Sequence, residues 1–132
     1  MAAKKSERAL VDEWREVLAL HARTICELDR ELHRHGLGAS DFEVLDVLAE
    51  NPGDGDCSFR VQELASRVHL SQSALSRLVA RLEKDGLVTR GMCSEDRRGV
   101  RVALTEAGRA RHAEVQPLQR AVLSRMLANP TA

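Results

Sequence analysis

A stripe along the first quarter of the chain runs through Trp14, Leu18, His21, Ile25, Leu28, Leu32 and His35, with gaps that alternate between four and three residues. That repeat of about 3.5 residues is the period of a helix–helix seam. It predicts one long helix over 8–35, with Val11 and Val17 widening the stripe and Gly36 and Gly38 ending it. Ser40-Asp41-Phe42-Glu43 reads as a capping box, Ser40 at the N-cap and Glu43 reaching back. It opens a second helix that carries Phe42, Leu45, Leu48 and Ala49 on one face. Asn51-Pro52-Gly53-Asp54-Gly55-Asp56 stops this helix in a loop. The loop lacks the alternating ligand series and closing Glu of a calcium loop, so no metal is expected there.

Val61, Leu64, Ala65 and Val68 have the spacing of a short amphipathic helix over 61–68. After a tight connection at His69-Leu70, Ser71 caps a further helix over 71–85. Ala74, Leu75, Leu78, Val79 and Leu82 form its buried face. Gln72, Ser73, Ser76, Arg77, Ala80, Arg81 and Lys84 form its polar one, and Gly86 supplies the stop. Strands are predicted over 87–92 and 100–104, the second from the alternation of Val100, Val102 and Leu104 with Arg101 and Ala103. Thr105 caps a last helix to about 127, kinked or interrupted at Pro117. The order is four helices, a hairpin and a helix: a mainly α fold with a small β-hairpin.

Hydrophobic residues at 43% and charged residues at 30% are a globular balance. No apolar run approaches the ~18–20 residues of a membrane span, and the polar start 1–7 lacks a signal peptide's apolar stretch. A cytoplasmic location follows as the expectation. The formal net charge of zero argues at first against nucleic acid. Its distribution alters that picture. Residues 1–59 carry 7 basic and 13 acidic side chains, residues 60–104 carry 9 and 5, and residues 105–132 carry 4 and 2. Fields act over about 8 Å at physiological salt, so the local excess of +4 in the middle segment matters more than the total. Of the 20 basic residues 17 are Arg. That suits phosphates and guanine edges, and equally reflects the codon bias of a GC-rich genome.

The pair 61–68 and 71–85 has the spacing of a helix-turn-helix, in which one helix props the other so that a polar face can enter a major groove. Gln72, Ser73, Ser76 and Arg77 stand where such a helix meets bases first, Gln suited to adenine and Arg to guanine. The hairpin turn 93–99 presents Arg97 and Arg98 at a tip, with Gly99 for tight bending. A tip of that kind reaches a flanking minor groove or the phosphate backbone. Any amphipathic helix has a polar face, so the helix alone decides little. The helix pair followed at once by an Arg-rich hairpin is more specific.

The segments 61–65, 70–79 and 82–88 are similar to the MarR family of winged-helix regulators. So is Asp96-Arg97-Arg98-Gly99-Val100-Arg101-Val102-Ala103-Leu104-Thr105-Glu106-Ala107-Gly108, which fits that family's D-x-R and V-x-L-T-x-x-G wing pattern. The resemblance covers about 8–128. It implies a single domain over 1–132, with dimerisation helices at 8–35 and 105–128. A winged helix-turn-helix lobe would span 40–104, its helix-turn-helix at 61–68 and 71–85 and its wing at 87–104. It further implies a homodimer that binds a pseudo-palindromic operator in double-stranded DNA, most simply as a repressor. A small aromatic or anionic ligand in a crevice between dimerisation helices and DNA-binding lobe would release it. Carried over by position, Ser71, Gln72, Ser73, Ser76, Arg77 and Arg81 fall on the recognition helix, Asp96 braces the wing through Arg98, and Arg97 or Arg98 enters the minor groove. The tail after Pro117 is short for the family, which points to an abbreviated terminal dimerisation helix.

The candidate effector contacts are Trp14, His21 and Ile25. An imidazole on an apolar stripe is ordinarily a packed interface residue, but at a dimer crevice it can bind a carboxylate or a phenol. Cys26, Cys57 and Cys93 form no C-x-x-C pair, so neither a disulfide framework nor a zinc finger is expected. Peroxide sensors of the family hold a first-helix Cys with Tyr hydroxyls. This chain has no Tyr, which favours packing over redox sensing for Cys26. No phosphate loop, zinc-protease helix or nucleophile motif is present, so no enzyme, cofactor, metal or membrane partner is expected. Two other readings stay open: a winged helix repurposed for protein contact, and a constitutive DNA-binding regulator without an effector.

Overall fold

The computed structural model describes residues 4–50, 59–93 and 96–128, with the side chains of 92–99 outside the description. Helix α1 (Glu7–Leu32) starts at Ser6, whose hydroxyl accepts the Ala9 N–H at 3.1 Å, and passes into a 3₁₀ turn, His33–His35. Gly36 closes this end with φ +74°, a left-handed conformation that suits glycine. Helix α2 (Ala39–Glu50) follows. Its start corrects the expected Ser40 cap, because Ser40 lies inside the first turn. The Gly38 N–H donates to Asp41 Oδ2 at 2.7 Å, and the Ala39 N–H donates to Asp29 Oδ1 of α1 at 2.8 Å. Asp41 therefore does the reaching back expected of Glu43, while Asp29 ties α2 to α1.

Strand β1 (Phe59–Arg60), α3 (Val61–Val68) and α4 (Gln72–Lys84) come next. His69, at φ +59°, makes the tight turn between the two helices, and Ser71 Oγ accepts the Ala74 N–H at 3.1 Å as the N-cap of α4. Strands β2 (Val88–Cys93) and β3 (Asp96–Leu104) pair antiparallel with Val88 opposite Leu104 and Arg90 opposite Val102. The hairpin is longer than the hydrophobic alternation suggests. It also gains a third strand, since β1 pairs along β3 with Phe59 opposite Val102. Two residues show no periodicity, so only the long-range pairing reveals β1. Helix α5 (Glu106–Leu123) starts at Thr105, as expected, and ends in a π-helical turn, Ser124–Ala128. It runs through Pro117, so of the expected kink or interruption the helix shows no interruption. No helix among the described residues is long and apolar enough to cross a membrane.

The main core joins α2, α3, α4, the sheet and the middle of α5 through Phe42, Leu45, Leu64, Leu75, Leu82, Val88, Val102 and Val115, all at most 1% exposed. Truncating any of the buried leucines costs about 2–5 kcal/mol. A smaller cluster of Leu28, Ala39 and Val122, with Ile25, Leu123 and Met126 against it, joins α1 to α2 and α5. The stripe on α1 thus divides. Leu28 and Leu32 are buried within one chain, whereas Leu10, Trp14, Val17 and Leu18 are 45–59% exposed. His35 leaves the stripe: its Nδ1 pairs with Glu114 Oε1 of α5 at 3.2 Å.

Candidate nucleic-acid interface and adjoining crevice

The hydroxyl of Ser71 is engaged in capping α4 and lies 3.3 Å from that of Ser73. Capping fixes the first turn, and the buried face of Leu75, Leu78, Val79 and Leu82 holds the helix on the core. Gln72, Ser73, Ser76 and Arg77 are then necessarily exposed. Gln72 and Ser76 share a polar groove of about 290 Å³ with Arg60, Gln62, Arg90 and Val100, so the N-terminal halves of α3 and α4 face the sheet across one channel. Arg60, Gln62 and Arg90 went unnoticed in the sequence because they belong to three different elements. Arg90 is held in place by Glu83 of α4, with Nε to Oε1 at 3.1 Å and the backbone N–H to Oε2 at 3.3 Å.

Arg81 stands apart from this group. Its guanidinium donates to Asp41 Oδ1, and the same carboxylate caps α2 through Oδ2. Asp41 is buried and Arg81 is half-exposed. The third turn of α4 is thereby bound to the start of α2, a connection absent from the sequence pattern. The expected wing contacts, Asp96, Arg97 and Arg98, begin β3, and their side chains lie outside the described residues. Cys57 and the side chain of Cys93 also lie outside them. Cys26 is a free, exposed thiol beside Ala22, Arg23, Glu27 and Met126.

At the base of the wing, Thr105 Oγ1 donates to the Gly86 carbonyl at 2.7 Å and accepts the Gly108 N–H at 3.0 Å, while the Thr105 N–H donates to the Leu87 carbonyl at 3.1 Å. A Cβ on Gly108 would stand 2.0 Å from that Leu87 oxygen. The glycine ending the V-x-L-T-x-x-G pattern therefore lets α5 begin directly against the end of α4.

A larger crevice of about 660 Å³ opens between α1, α5, the start of α2 and the α3–α4 turn. His21, Ile25, Leu28, Glu43, Val68, His69, Leu70, Gln119 and Leu123 are among its lining residues. Two of the three expected effector contacts, His21 and Ile25, meet here. Trp14 does not: it lies more than a helical turn away and is 59% exposed. Behind the wall, Asp46 accepts from Arg120 Nη2 at 3.1 Å through each oxygen and lies 2.7 Å from His112 Nε2. Phe42 stacks on His112 at 5.3 Å, with Arg120 over the ring at 6.0 Å. Gln119 joins Glu43 to Arg120, donating to Glu43 at 3.4 Å and accepting from Arg120 Nη1 at 2.6 Å. Desolvation first, then the nearby charge of Asp46, raises the Glu43 carboxyl above its ordinary value, partly offset by Arg120. Sequence spacing could not reveal this network, since His112 and Arg120 lie 66 and 74 residues from Asp46.

The family model described as MarR family matches residues 35–99, from the 3₁₀ turn after α1 into β3. The transcriptional repressor MdtR of Bacillus subtilis is 26% identical over 124 residues, covering 94% of this chain and 77% of its own length. The structure of Sco3205, a MarR family regulator from Streptomyces coelicolor solved in complex with DNA, superposes with a TM-score of 0.81 at 27% identity, covering 99% of this chain and 81% of the other. AbsC, from the same organism, superposes with a TM-score of 0.81 at 30% identity over 99% of this chain and 86% of its own. With its helix-turn-helix, hairpin and flanking long helices shared at this level, the chain belongs to the MarR family of transcriptional regulators.

Proposed function

We propose that the chain is a homodimeric, DNA-binding transcriptional repressor that lets go of its operator when a small molecule occupies the crevice beside His21 and Ile25. The polar groove carries this reading. A capped α4 presents Gln72, Ser76 and Arg77 at its exposed end, with Arg90 beside them on the sheet. A helix placed so can enter a major groove about 12 Å wide, Gln72 and Arg77 reading bases and Ser73 and Ser76 reading bases or phosphate. Arg97 and Arg98 reach the flanking minor groove, braced by Asp96. The exposed apolar residues Leu10, Trp14, Val17 and Leu18 on α1 pair two chains, so that two copies of α4 meet half-sites about 34–36 Å apart on a pseudo-palindrome. Sco3205, similar over nearly the whole chain, was solved on DNA. A repressor of this kind works where the chromosome is, in the cytoplasm.

The crevice supplies the release. It touches α1, α5 and the α3–α4 turn at once, so an occupant favouring one spacing of the two recognition helices shifts operator affinity by its preference for that state. Selection of bound duplexes from a random library tests the core of the proposal. A symmetric motif is expected, bound with a steep salt dependence that becomes shallower in Arg97→Ala/Arg98→Ala. Binding at equal affinity on all sequences rejects operator recognition, and failure to retain any duplex rejects the proposal in favour of a protein-contact role.

A further inference from the structure

We infer that the crevice selects a planar ligand that is neutral or cationic and donates a hydrogen bond to Glu43, rather than an anion. This rests on the crevice being the effector site proposed above, and it names the chemistry of the occupant. Among the described residues lining the crevice there is no Lys or Arg, and Glu43 is the one carboxylate. Arg120 is not among the lining residues, and its guanidinium is engaged, with Nη2 on both oxygens of Asp46 and Nη1 on Gln119. The start of α2, at Ala39 and Ser40, also borders the crevice, and a helix start ordinarily attracts anions. Here that attraction is spent. The Gly38 N–H is held by Asp41 and the Ala39 N–H by Asp29, so two carboxylates already sit at the positive end. An incoming anion would meet the Glu43 carboxylate with no lining Lys or Arg to answer it, in a site walled by Ile25, Leu28, Val68, Leu70 and Leu123. The same walls accept the face of a ring, and the imidazoles of His21 and His69 give it further donor or acceptor contacts.

Benzoate, benzamide and benzamidine make a matched series, one ring bearing an anionic, a neutral and a cationic planar group. Titration of the full-length protein with each, followed by ligand-detected NMR, gives the three dissociation constants. Benzamidine is expected to bind tightest, benzamide next and benzoate weakest. Glu43→Gln should remove on the order of tenfold from benzamidine affinity, the worth of one charge-assisted hydrogen bond, while leaving benzamide within twofold. Benzoate binding as tightly as benzamide, or a benzamidine advantage that survives Glu43→Gln, overturns the ligand class and leaves the effector site standing. Ile25→Trp, which fills the crevice, separates the other failure. If all three probes bind Ile25→Trp undiminished, or none binds the unaltered protein, the crevice is no ligand site and the effector reading falls together with this inference.

Discussion

Gly108 occupies a position that no other residue can fill without moving the backbone. A Cβ there would come within 2.0 Å of the Leu87 carbonyl oxygen, which already accepts the Thr105 N–H. Gly108→Ala must therefore separate α5 from the end of α4, at a cost of about 1–3 kcal/mol, seen as a lower urea midpoint with the slope unchanged. Glu43 is a titration case. Its carboxyl is raised by desolvation in the fold, so the folded protein holds its proton more tightly than the unfolded chain does. That contribution is fully present at acid pH and is lost as pH rises from the ordinary carboxylate value through the raised one. Glu43→Gln, permanently neutral, should be more stable than the unaltered protein at pH 7. The difference should disappear near pH 4, as urea denaturation at the two pH values will record. Neither residue announces its role in the sequence: Gly108 stands out only through the pattern ending on it, and Glu43 reads there as a capping partner.

Helices and strands divide by how local their causes are. The spans of α3 and α4 follow the apolar spacing to within a residue, because each buries one face in its own chain and each is capped by a neighbour in sequence. The start of α2 was not legible. Asp41 and Asp29 take the Gly38 and Ala39 N–H groups, so the helix begins before Ser40, and Asp29 is ten residues away from the group it caps. Helix α4 shows the same limit within itself. Its polar face reads as one surface in sequence, but Arg77 is open while Arg81 is tied to Asp41. The two arginines should therefore behave differently on DNA. Arg77→Ala should relax base preference at one operator position by about 1–3 kcal/mol. Arg81→Ala should weaken binding without changing the salt slope, and Asp41→Asn should reproduce it, with the double variant no worse than either. A salt slope lowered by about 0.9 in Arg81→Ala would instead mark Arg81 as a phosphate contact.

For the molecule as a whole, the long stripe on α1 reads as one seam in the sequence and divides into two halves in the fold. Leu28 and Leu32 close the interior of a single chain, while Leu10, Trp14, Val17 and Leu18 remain on its surface. Periodicity could not separate these roles, since it reports which side of a helix is apolar and not which body covers it. The distinction decides how dimerisation should be tested. Leu28→Asp would bury a charge beside Ala39 and Val122 and unfold the chain. Leu18→Asp lies on the exposed half and should give a folded monomer, helical by circular dichroism and of single-chain mass in sedimentation, with operator binding lost. A dimer that persists in Leu18→Asp places the contact elsewhere.

The exposed half of α1 also has a dose consequence. If operator binding needs two chains joined there, the active species forms by a second-order encounter. While single chains predominate, halving the number of copies lowers the paired form about fourfold, by mass action alone. Silencing would then switch with protein abundance more steeply than linearly, with no ligand involved. Dilution by growth in cell volume, once synthesis slows, would itself loosen the hold on the gene.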